Sequence, residues 1–286
     1  MSPTFELFSY LESRLMPVQG KPWSMISKLA AQLYTLREYT KTAESFQNVL
    51  QVCHEIGYLG VQLSAVGCMN GDTPEVSAST AKEMLESCGL VCCATHRPWK
   101  RLVENIDEEI EFHHILGCDY TAVGSIGGDY GVEPDSYRRF LDDAAPVIEK
   151  LKAAGIRFGF HNHQMEFIRN PETGRPCYDI LINEGALDLM LEVDTFWAIV
   201  AGVDPAVLFE RCPGRVPVIH VKDMEVVDKI GPVMCPVGEG NLDWPRIVRT
   251  CEAAGTEWYV VEQDDCRRDP FDCLRSSWEY LSELSF

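Results

Sequence analysis

The chain has 286 residues, of which 46% are hydrophobic, and this is enough apolar material for the core of one large domain. Its formal net charge of −19 argues against a nucleic-acid enzyme, because neutralising phosphates requires clustered Lys and Arg. No run approaches the roughly 18 apolar residues of a membrane helix, and the first residues lack a secretory signal pattern. The twelve cysteines are scattered through apolar runs, so we expect free thiols and a soluble, cytoplasmic protein.

Residues 1–27 fall outside the pattern that organises the rest of the chain. Phe5, Phe8, Leu11 and Leu15 have helical spacing before proline and glycine interrupt it. We therefore expect an N-terminal extension over residues 1–27 and a single domain over residues 28–286.

From there on, a repeating unit of 28 to 41 residues is marked by glycines that follow helix-like segments and precede short apolar runs. These glycines are Gly57, Gly89, Gly117, Gly155, Gly185, Gly214 and Gly255. The predicted strands are Leu29–Leu36, Gly60–Leu63, Leu90–Ala94, Tyr120–Val123, Ile156–Phe160, Leu187–Val193, Val216–Ile219 and Trp258–Val261. Eight strands alternating with helices predict an α/β fold, a closed (β/α)8 TIM barrel.

Helical patterns fill the gaps between these strands. They cover Thr42–Ile56, Ser77–Ser87, Asp107–Leu116, Ser136–Ala154, Pro205–Arg211, Pro245–Ala254 and Pro270–Leu284. Several begin at a capping residue or a first-turn proline. Two longer connections, Gly124–Pro134 and Glu225–Trp244, are rich in glycine and are expected to be lids over the active-site face.

The carboxyl ends of barrel strands form the active-site face, and this chain places metal-binding side chains there. Asp194, His220 and Glu262 end three successive strands and should converge near the barrel axis. Two carboxylates and one imidazole suit Mn²⁺, Mg²⁺, Co²⁺ or Zn²⁺. Taken singly, each acid has the simpler reading of a helix cap or an ion pair. The preceding strand offers His161, His163 and Glu166 for a fourth ligand.

Other polar residues near the strand ends are candidates for substrate contacts. His96 is expected to bind a sugar hydroxyl or to act as an acid or base, with a packing role as the alternative. Lys222 alternates with His220, so both point to the same side and the ammonium can meet a developing oxyanion, whereas Asp223 points away. Gln62 and Glu239 are candidate partners for the substrate.

Five strand-end segments carry a family resemblance. They are GFHNHQMEF (159–167), LEVDTFWAIVAGVDP (191–205), VIHVKDM (218–224), PVGEGNLDWPRIV (236–248) and VVEQD (260–264). In this order they resemble the sugar phosphate isomerase/epimerase family of xylose isomerase-like barrels, and QLYTLRE (32–38) is similar to its first strand. The resemblance covers about residues 28–284 and indicates a superfamily, not a substrate.

This resemblance implies one divalent metal ion, held by a Glu, an Asp, a His and a Glu from the last four strands. Asp194, His220 and Glu262 match the last three. Where many relatives have the first Glu, this chain has His161, so the fourth ligand is either His161 or Glu166. We favour Glu166 because a hard cation prefers a carboxylate, and Mn²⁺ is the expected ion. Trp197 replaces a His of some epimerases and is a candidate platform for a sugar ring.

The resemblance further implies a sugar isomerase or epimerase that works through an enediolate beside a carbonyl. Glu262, Glu166 or His163 would move the proton. The alternative is a metal-dependent lyase that cleaves 3-oxo-glycosides by β-elimination, with a partner subunit in some relatives. Endonuclease IV, the DNA-repair branch, uses more metal ligands than this acidic chain offers. A non-catalytic sugar-binding subunit, alone or in a homo-oligomer, is the remaining class.

Overall fold

The computed structural model describes residue 26 and residues 28–71, 73–126 and 130–285. Eight parallel strands form a barrel, namely β1 (Leu29–Gln32), β2 (Gly60–Leu63), β3 (Val91–His96), β4 (Tyr120–Val123), β5 (Arg157–His161), β6 (Leu189–Asp194), β7 (Val218–Val221) and β10 (Trp258–Val261). Each strand pairs with the next in this order, and β10 pairs back to β1 and closes the barrel. This confirms the predicted (β/α)8 barrel.

Helices lie between successive barrel strands in the described residues. They are α1 (Ala43–Ile56), α2 (Ala78–Ser87), α3 (Trp99–Glu104), α4 (Ile106–Leu116), α5 (Pro134–Ala153), α6 (Tyr178–Asn183), α7 (Thr195–Val200), α8 (Pro205–Arg211), α9 (Trp244–Ala254) and α10 (Pro270–Glu283). The sequence analysis did not predict α3, α6 and α7, which have only six residues each. None of the described helices is long and apolar enough to cross a bilayer.

Two predicted segments differ in the structure. The first strand ends at Gln32, four residues earlier than predicted, because a 3-10 helix begins at Leu33 and the Gln32 side chain accepts a hydrogen bond from the Tyr34 backbone. The segment Glu225–Trp244 is not an open lid: β8 (Asp223–Val227) and β9 (Gly231–Cys235) pair as an antiparallel hairpin. Part of the other predicted lid, residues 127–129, and the helical spacing before Leu15 lie outside the described residues.

Apolar side chains pack both between the barrel and its helices and inside the barrel itself. All twelve cysteines are free, and all but Cys266 are buried. Gly159 on β5 leaves room for the Tyr120 ring of β4 inside the barrel, since a Cβ at this position would overlap the Tyr120 hydroxyl. That hydroxyl is buried and has no hydrogen-bond partner in the described part of the chain.

Replacing Tyr120 with phenylalanine should raise the free energy of unfolding by about 1–3 kcal/mol, because the substitution removes a buried hydroxyl that has lost its water contacts without replacement. Chemical denaturation measures this change. Tyr58→Phe is the matched control: the Tyr58 hydroxyl donates to the Leu274 carbonyl at 2.8 Å, so its loss should destabilise the protein. Equal losses of stability in the two variants would contradict the prediction.

Candidate active site

A cluster of buried polar side chains fills the carboxyl end of the barrel. His96 ends β3, His161 ends β5, His220 lies on β7 and Glu262 directly follows β10. On β6, strand pairing sets Glu192 opposite His161 and Asp194 opposite His220. The side chains of this cluster are buried, apart from that of His96, which is 15% exposed.

The structure brings together the three residues that the sequence analysis placed at a metal site. Ligand atoms of Asp194, His220 and Glu262 lie within 4.8 Å of one another. His220 Nδ1 lies 2.7 Å from Glu262 Oε2 and 3.9 Å from Asp194 Oδ2. The two carboxylate oxygens also form ion pairs with Lys222. Two buried carboxylates beside an imidazole are the kind of ligands that divalent cations take, so the donor set fits a divalent cation.

Lys222 supplies a positive charge beside these acids, on the side of the barrel that the alternation with His220 predicted. Its Nζ lies 2.9 Å from Asp194 Oδ2, 2.7 Å from Glu262 Oε2 and 2.8 Å from Asp264 Oδ1. Burial lowers the pKa of Lys222, but the three carboxylates outweigh it and raise this pKa above its usual value. The ammonium is therefore charged and held by the acids. The sequence analysis did not identify Asp264.

Glu192 is the centre of a second group, with His96, His161 and His220 around it. One oxygen, Oε2, contacts His96 Nε2 and lies 3.4 Å from both His161 Nδ1 and His220 Nε2. Gln62 completes the network: it donates to Glu192 Oε1 at 2.9 Å, and its own Oε1 lies 2.8 Å from His220 Nε2. The sequence analysis missed Glu192. Its alternation with Asp194 along β6 was the available signal, because residues two apart on a strand point to the same face.

The charges in this group follow from burial and from the neighbouring ions. Burial opposes ionisation of Glu192, but His96 and His220 hold the pKa of this carboxyl well below its usual range. Burial also lowers the pKa of His220, yet Glu192 and Glu262 raise it to about 9. Burial and the neighbouring His220 hold the pKa of His161 well below its usual value. At neutral pH, Glu192 is therefore ionised and His161 is neutral.

The loop after β5 has a different arrangement from the one we favoured. Glu166 is buried, and its Oε2 accepts a hydrogen bond from the His163 backbone at 2.7 Å. Burial raises the pKa of this carboxyl. Glu166 belongs to neither group of side chains that can hold a metal ion in the described structure. The Glu166 carboxylate is therefore engaged by its own loop, whereas His161 Nε2 lies 3.8 Å from Asp194 Oδ2.

His163 and Trp197 lie side by side at the same end of the barrel. Their ring centroids are 5.7 Å apart, and both side chains are only partly buried. Burial lowers the pKa of His163 to about 4. The Trp197 backbone donates to Asp194 Oδ1 at 3.0 Å, so Asp194 caps α7 with one oxygen and leaves Oδ2 for the site.

Glu239 lies outside the cluster of buried polar side chains. Its carboxylate pairs with Arg268, at 2.8 and 2.6 Å, and accepts a hydrogen bond from Ser276. Asp223 points away from the site, as its position in the strand predicted, and binds backbone groups of the loop after β9.

A cavity of about 800 Å³ opens beside the site between the loops that follow β2 and β3. His96 lines it, together with Arg97 and Pro98 from the same loop. The wall formed by the other loop includes Met69, Asn70 and Gly71. His96 thus belongs both to the cluster around Glu192 and to the surface of this cavity.

Comparison with known proteins agrees with this architecture. Inosose dehydratase of Geobacillus kaustophilus (strain HTA426) is 24% identical over 275 residues, which cover 82% of this chain and 86% of that protein. A sugar phosphate isomerase/epimerase structure from Parabacteroides distasonis ATCC 8503 is 22% identical and superposes with a TM-score of 0.72 over 93% of this chain and 98% of that one. The IOLI protein with a bound zinc atom is 14% identical, with a TM-score of 0.66 over 88% and 95% of the two chains. These structures share the fold.

The sequence model of one family matches most of the chain. It is described as Xylose isomerase-like TIM barrel, and the match spans residues 50–283, which include the strands that carry the site. With a closed eight-stranded barrel and this match, the chain belongs to the xylose isomerase-like TIM barrel family.

Proposed function

We propose that this protein is a divalent-metal-dependent enzyme that removes a proton from the carbon beside a carbonyl of a sugar or related polyol, and that it isomerises or epimerises its substrate. The observation that carries the proposal is the convergence of Asp194, His220 and Glu262, three buried side chains whose ligand atoms lie within 4.8 Å of one another. Membership of a family with named isomerases and epimerases supports it.

Asp194, His220 and Glu262 would hold the cation, with His161 as the fourth ligand. His161 replaces Glu166 in the proposed set because its imidazole lies in the cluster and Glu166 is engaged by its own loop. Two carboxylates and two imidazoles suit Mn²⁺, our first choice, as well as Co²⁺, Zn²⁺ or Mg²⁺. When bound, such an ion supplies Lewis acidity toward a carbonyl and a neighbouring hydroxyl.

The residues around this set have separate proposed roles. His163 has a buried Nδ1 without a hydrogen-bond partner in the described structure, so its imidazole can accept the proton of the substrate. Trp197 would stack on the sugar ring from the same side. Lys222 would balance the carboxylates and the negative charge that develops on the substrate oxygen. Gln62 holds Glu192 and His220 in place.

A second candidate reaction is β-elimination, which begins with the same removal of a proton beside the carbonyl. The relative with 24% identity is a dehydratase, so a related chain expels an oxygen substituent as water. Proton removal beside a carbonyl is common to both outcomes: return of the proton gives an isomer or epimer, and loss of a β-oxygen gives an unsaturated ketone. A 3-oxo-glycoside would be the substrate of such a lyase, either alone or with a partner subunit.

Metal content tests the shared part of the proposal. Protein purified without chelator and incubated with Mn²⁺ should contain about one equivalent of a divalent metal, as expected for one mononuclear site. Asp194→Ala should contain almost none, whereas Asp188→Ala, a change in an exposed ion pair with Lys152, should keep it. Mass spectrometry of the purified proteins measures this content.

Substrate assays then separate the outcomes. Conversion of fructose, psicose or tagatose into an isomer would support isomerisation or epimerisation, and activity only on 3-oxo-glycosides would support elimination. Absence of metal from the wild type would contradict the proposal. Sugar binding that survives unchanged in Asp194→Ala would instead favour a non-catalytic binding subunit.

A further inference from the structure

Two cysteines form a thiol pair beside the loop that follows β10. Cys266 lies in this loop and is the one cysteine of the chain that is not buried. Cys273 is the fourth residue of α10, a helix whose first turn is capped by Asp269. The Cys266 and Cys273 side chains interact through a hydrogen bond between their thiol groups. A bond between the two sulfur atoms would therefore close one short segment of the chain.

The surroundings of Cys273 favour its thiolate. The hydrogen bond from Cys266, together with the charge and the backbone amide of Arg268, outweighs burial and lowers the pKa of the Cys273 thiol. A neighbouring cation and a position near a helix N-terminus are the usual means by which proteins activate a cysteine, because the thiolate is the nucleophile. The same contact raises the pKa of Cys266. Cys273 is therefore the nucleophile of the pair, and Cys266 is its protonated neighbour.

A second cavity brings small molecules to Cys273. This cavity, of about 300 Å³, lies between the β8–β9 hairpin and the loop after β10, and Cys273 lines it. Arg267 and Arg268 line it too, and because their side chains are 54% and 46% exposed, the cavity opens to solvent. It shares no lining residue with the cavity of about 800 Å³ beside His96. The thiol pair is thus reached separately from the candidate active site.

A second pair of cysteines in contact lacks these features. Cys92 and Cys118 are both buried, and their thiols donate to the backbone carbonyls of Ala94 at 3.4 Å and Tyr120 at 3.2 Å. The contact with Cys118 and burial hold the pKa of Cys92 well above its usual value. Neither cysteine lines the two cavities described above. Contact between two thiols is therefore not what distinguishes Cys266 and Cys273; an activated sulfur and access from solvent are.

We propose that Cys266 and Cys273 are an oxidant-sensitive dithiol, which hydrogen peroxide converts into a disulfide and a small dithiol restores. The Cys273 thiolate attacks one oxygen of the peroxide, the O–O bond breaks, and the other oxygen leaves as water after it takes a proton. Cys273 is then a sulfenic acid. The Cys266 sulfur attacks the Cys273 sulfur, the S–O bond breaks, and the departing hydroxide takes the Cys266 proton. Two thiols and one peroxide thus give one disulfide and two waters.

The disulfide would act on the segment that holds the β8–β9 hairpin and the loop after it. Arg267 and Arg268 lie between the two cysteines in the chain. Arg267 pairs with Glu225 of β8 at 2.5 Å, and Arg268 pairs with Glu239 at 2.6 Å. A covalent bond between the ends of this segment would restrict its motion. The redox state of the pair is thereby coupled to the contacts that hold these loops at the carboxyl end of the barrel.

Peptide mapping by mass spectrometry tests the pair in the full-length protein. After treatment with hydrogen peroxide, the wild type should lose about two thiols, with Cys266 linked to Cys273, and dithiothreitol should restore both. The thiols of Cys92 and Cys118 should remain. Peroxide-treated protein that keeps all its thiols, or that links Cys92 to Cys118 instead, would overturn the proposal.

Variants of the pair test the order of the two steps. Cys266→Ser should stop at the sulfenic acid of Cys273, which dimedone traps. Cys273→Ser should react with peroxide at least about tenfold more slowly than the wild type, because the activated sulfur is gone. Cys118→Ala, which removes one thiol of the other pair, is the matched control and should react as the wild type does. Equal rates in Cys273→Ser and the wild type would show that Cys273 is not the nucleophile.

The two adjacent arginines separate the effect of charge from that of the loop. Arg268→Gln should slow the loss of thiols by about three- to tenfold, because it removes the cation beside Cys273. Arg267→Gln breaks the ion pair with Glu225 in the same loop and should leave the rate unchanged. Equal slowing in the two variants would contradict the activation of Cys273 by Arg268.

Discussion

Lys222→Met is expected to lower the free energy of unfolding of the metal-free protein by about 3–5 kcal/mol, the usual cost of removing one partner of a buried ion pair. Lys222 is 1% exposed, and its ammonium lies within 2.9 Å of carboxylate oxygens of Asp194, Glu262 and Asp264. Methionine keeps the length of the side chain but leaves these acids without their cation. The loss should be visible in chemical denaturation at neutral pH.

The size of this loss should depend on pH and on metal. Burial already raises the pKa of Asp194 to about 6 with Lys222 present, and removal of the ammonium would raise it further. A carboxylate whose pKa is higher in the folded than in the unfolded state lowers the free energy of unfolding at a pH where both states are ionised. This loss becomes smaller as the pH falls through the folded pKa. The penalty should therefore be smaller at pH 5 than at pH 8. Saturating Mn²⁺ should restore part of it, because binding to the folded state stabilises it.

Lys152→Met is the matched control for this substitution. Lys152 Nζ lies 2.7 Å from Asp188, but its side chain is 64% exposed, and exposed ion pairs contribute about 0–1 kcal/mol. Similar losses of stability in the two variants, or a Lys222→Met penalty that does not change with pH, would show that the ammonium does not compensate the acids.

The barrel could be predicted because its repeating unit leaves a backbone signal. Gly57, Gly117 and Gly255 end helices in the left-handed conformation, which glycine adopts without a steric cost, so glycine marks the point where each helix turns toward the next strand. The short helices α6 and α7 leave no comparable signal. Isolated helices of this length are unstable, and tertiary packing stabilises them.

The site could be predicted where strand geometry alone fixes a residue. Asp194 ends β6 and His220 lies one residue before the end of the adjacent parallel strand β7, so their meeting follows from the topology. The position of Glu192 can be deduced from the same strand geometry, because it lies two residues before Asp194 on β6 and points to the same face. Glu166 and Glu239 lie in loops, where hydrogen bonds and ion pairs decide the direction of a side chain. Their partners, the His163 backbone and Arg268, could not be deduced from local sequence pattern.

Asp223→Ala is expected to lower the free energy of unfolding by about 3–5 kcal/mol, because this one carboxylate accepts hydrogen bonds from several amides of one loop. Asp223 is fully buried at the start of β8 and follows Lys222 directly. It accepts five hydrogen bonds. The donors are the backbone amides of Met224, Gly238, Gly240 and Leu242 and the indole of Trp244.

This carboxylate connects the hairpin, the loop that follows it and the first residue of α9. Gly240 accommodates it, since a Cβ there would collide with the Asp223 carboxylate. Gly240→Ala should therefore displace the carboxylate and weaken the same bonds without altering the acid. Asp243→Ala removes only the cap of α9, the hydrogen bond that the Arg246 amide donates to the Asp243 carboxylate, and should lower the free energy of unfolding by about 1 kcal/mol.

Chemical denaturation and amide hydrogen exchange together measure these effects. In Asp223→Ala and Gly240→Ala, the amides of residues 238, 240 and 242 should lose protection, whereas in Asp243→Ala they should keep it. A loss of stability in Asp223→Ala no larger than that in Asp243→Ala would mean that the loop is held by its apolar contacts. The expected result would instead show that the Asp223 carboxylate holds the loop after β9 in place. Lys222, the residue before it in the chain, balances the negative charge of the site, so two adjacent buried residues would have these two separate roles.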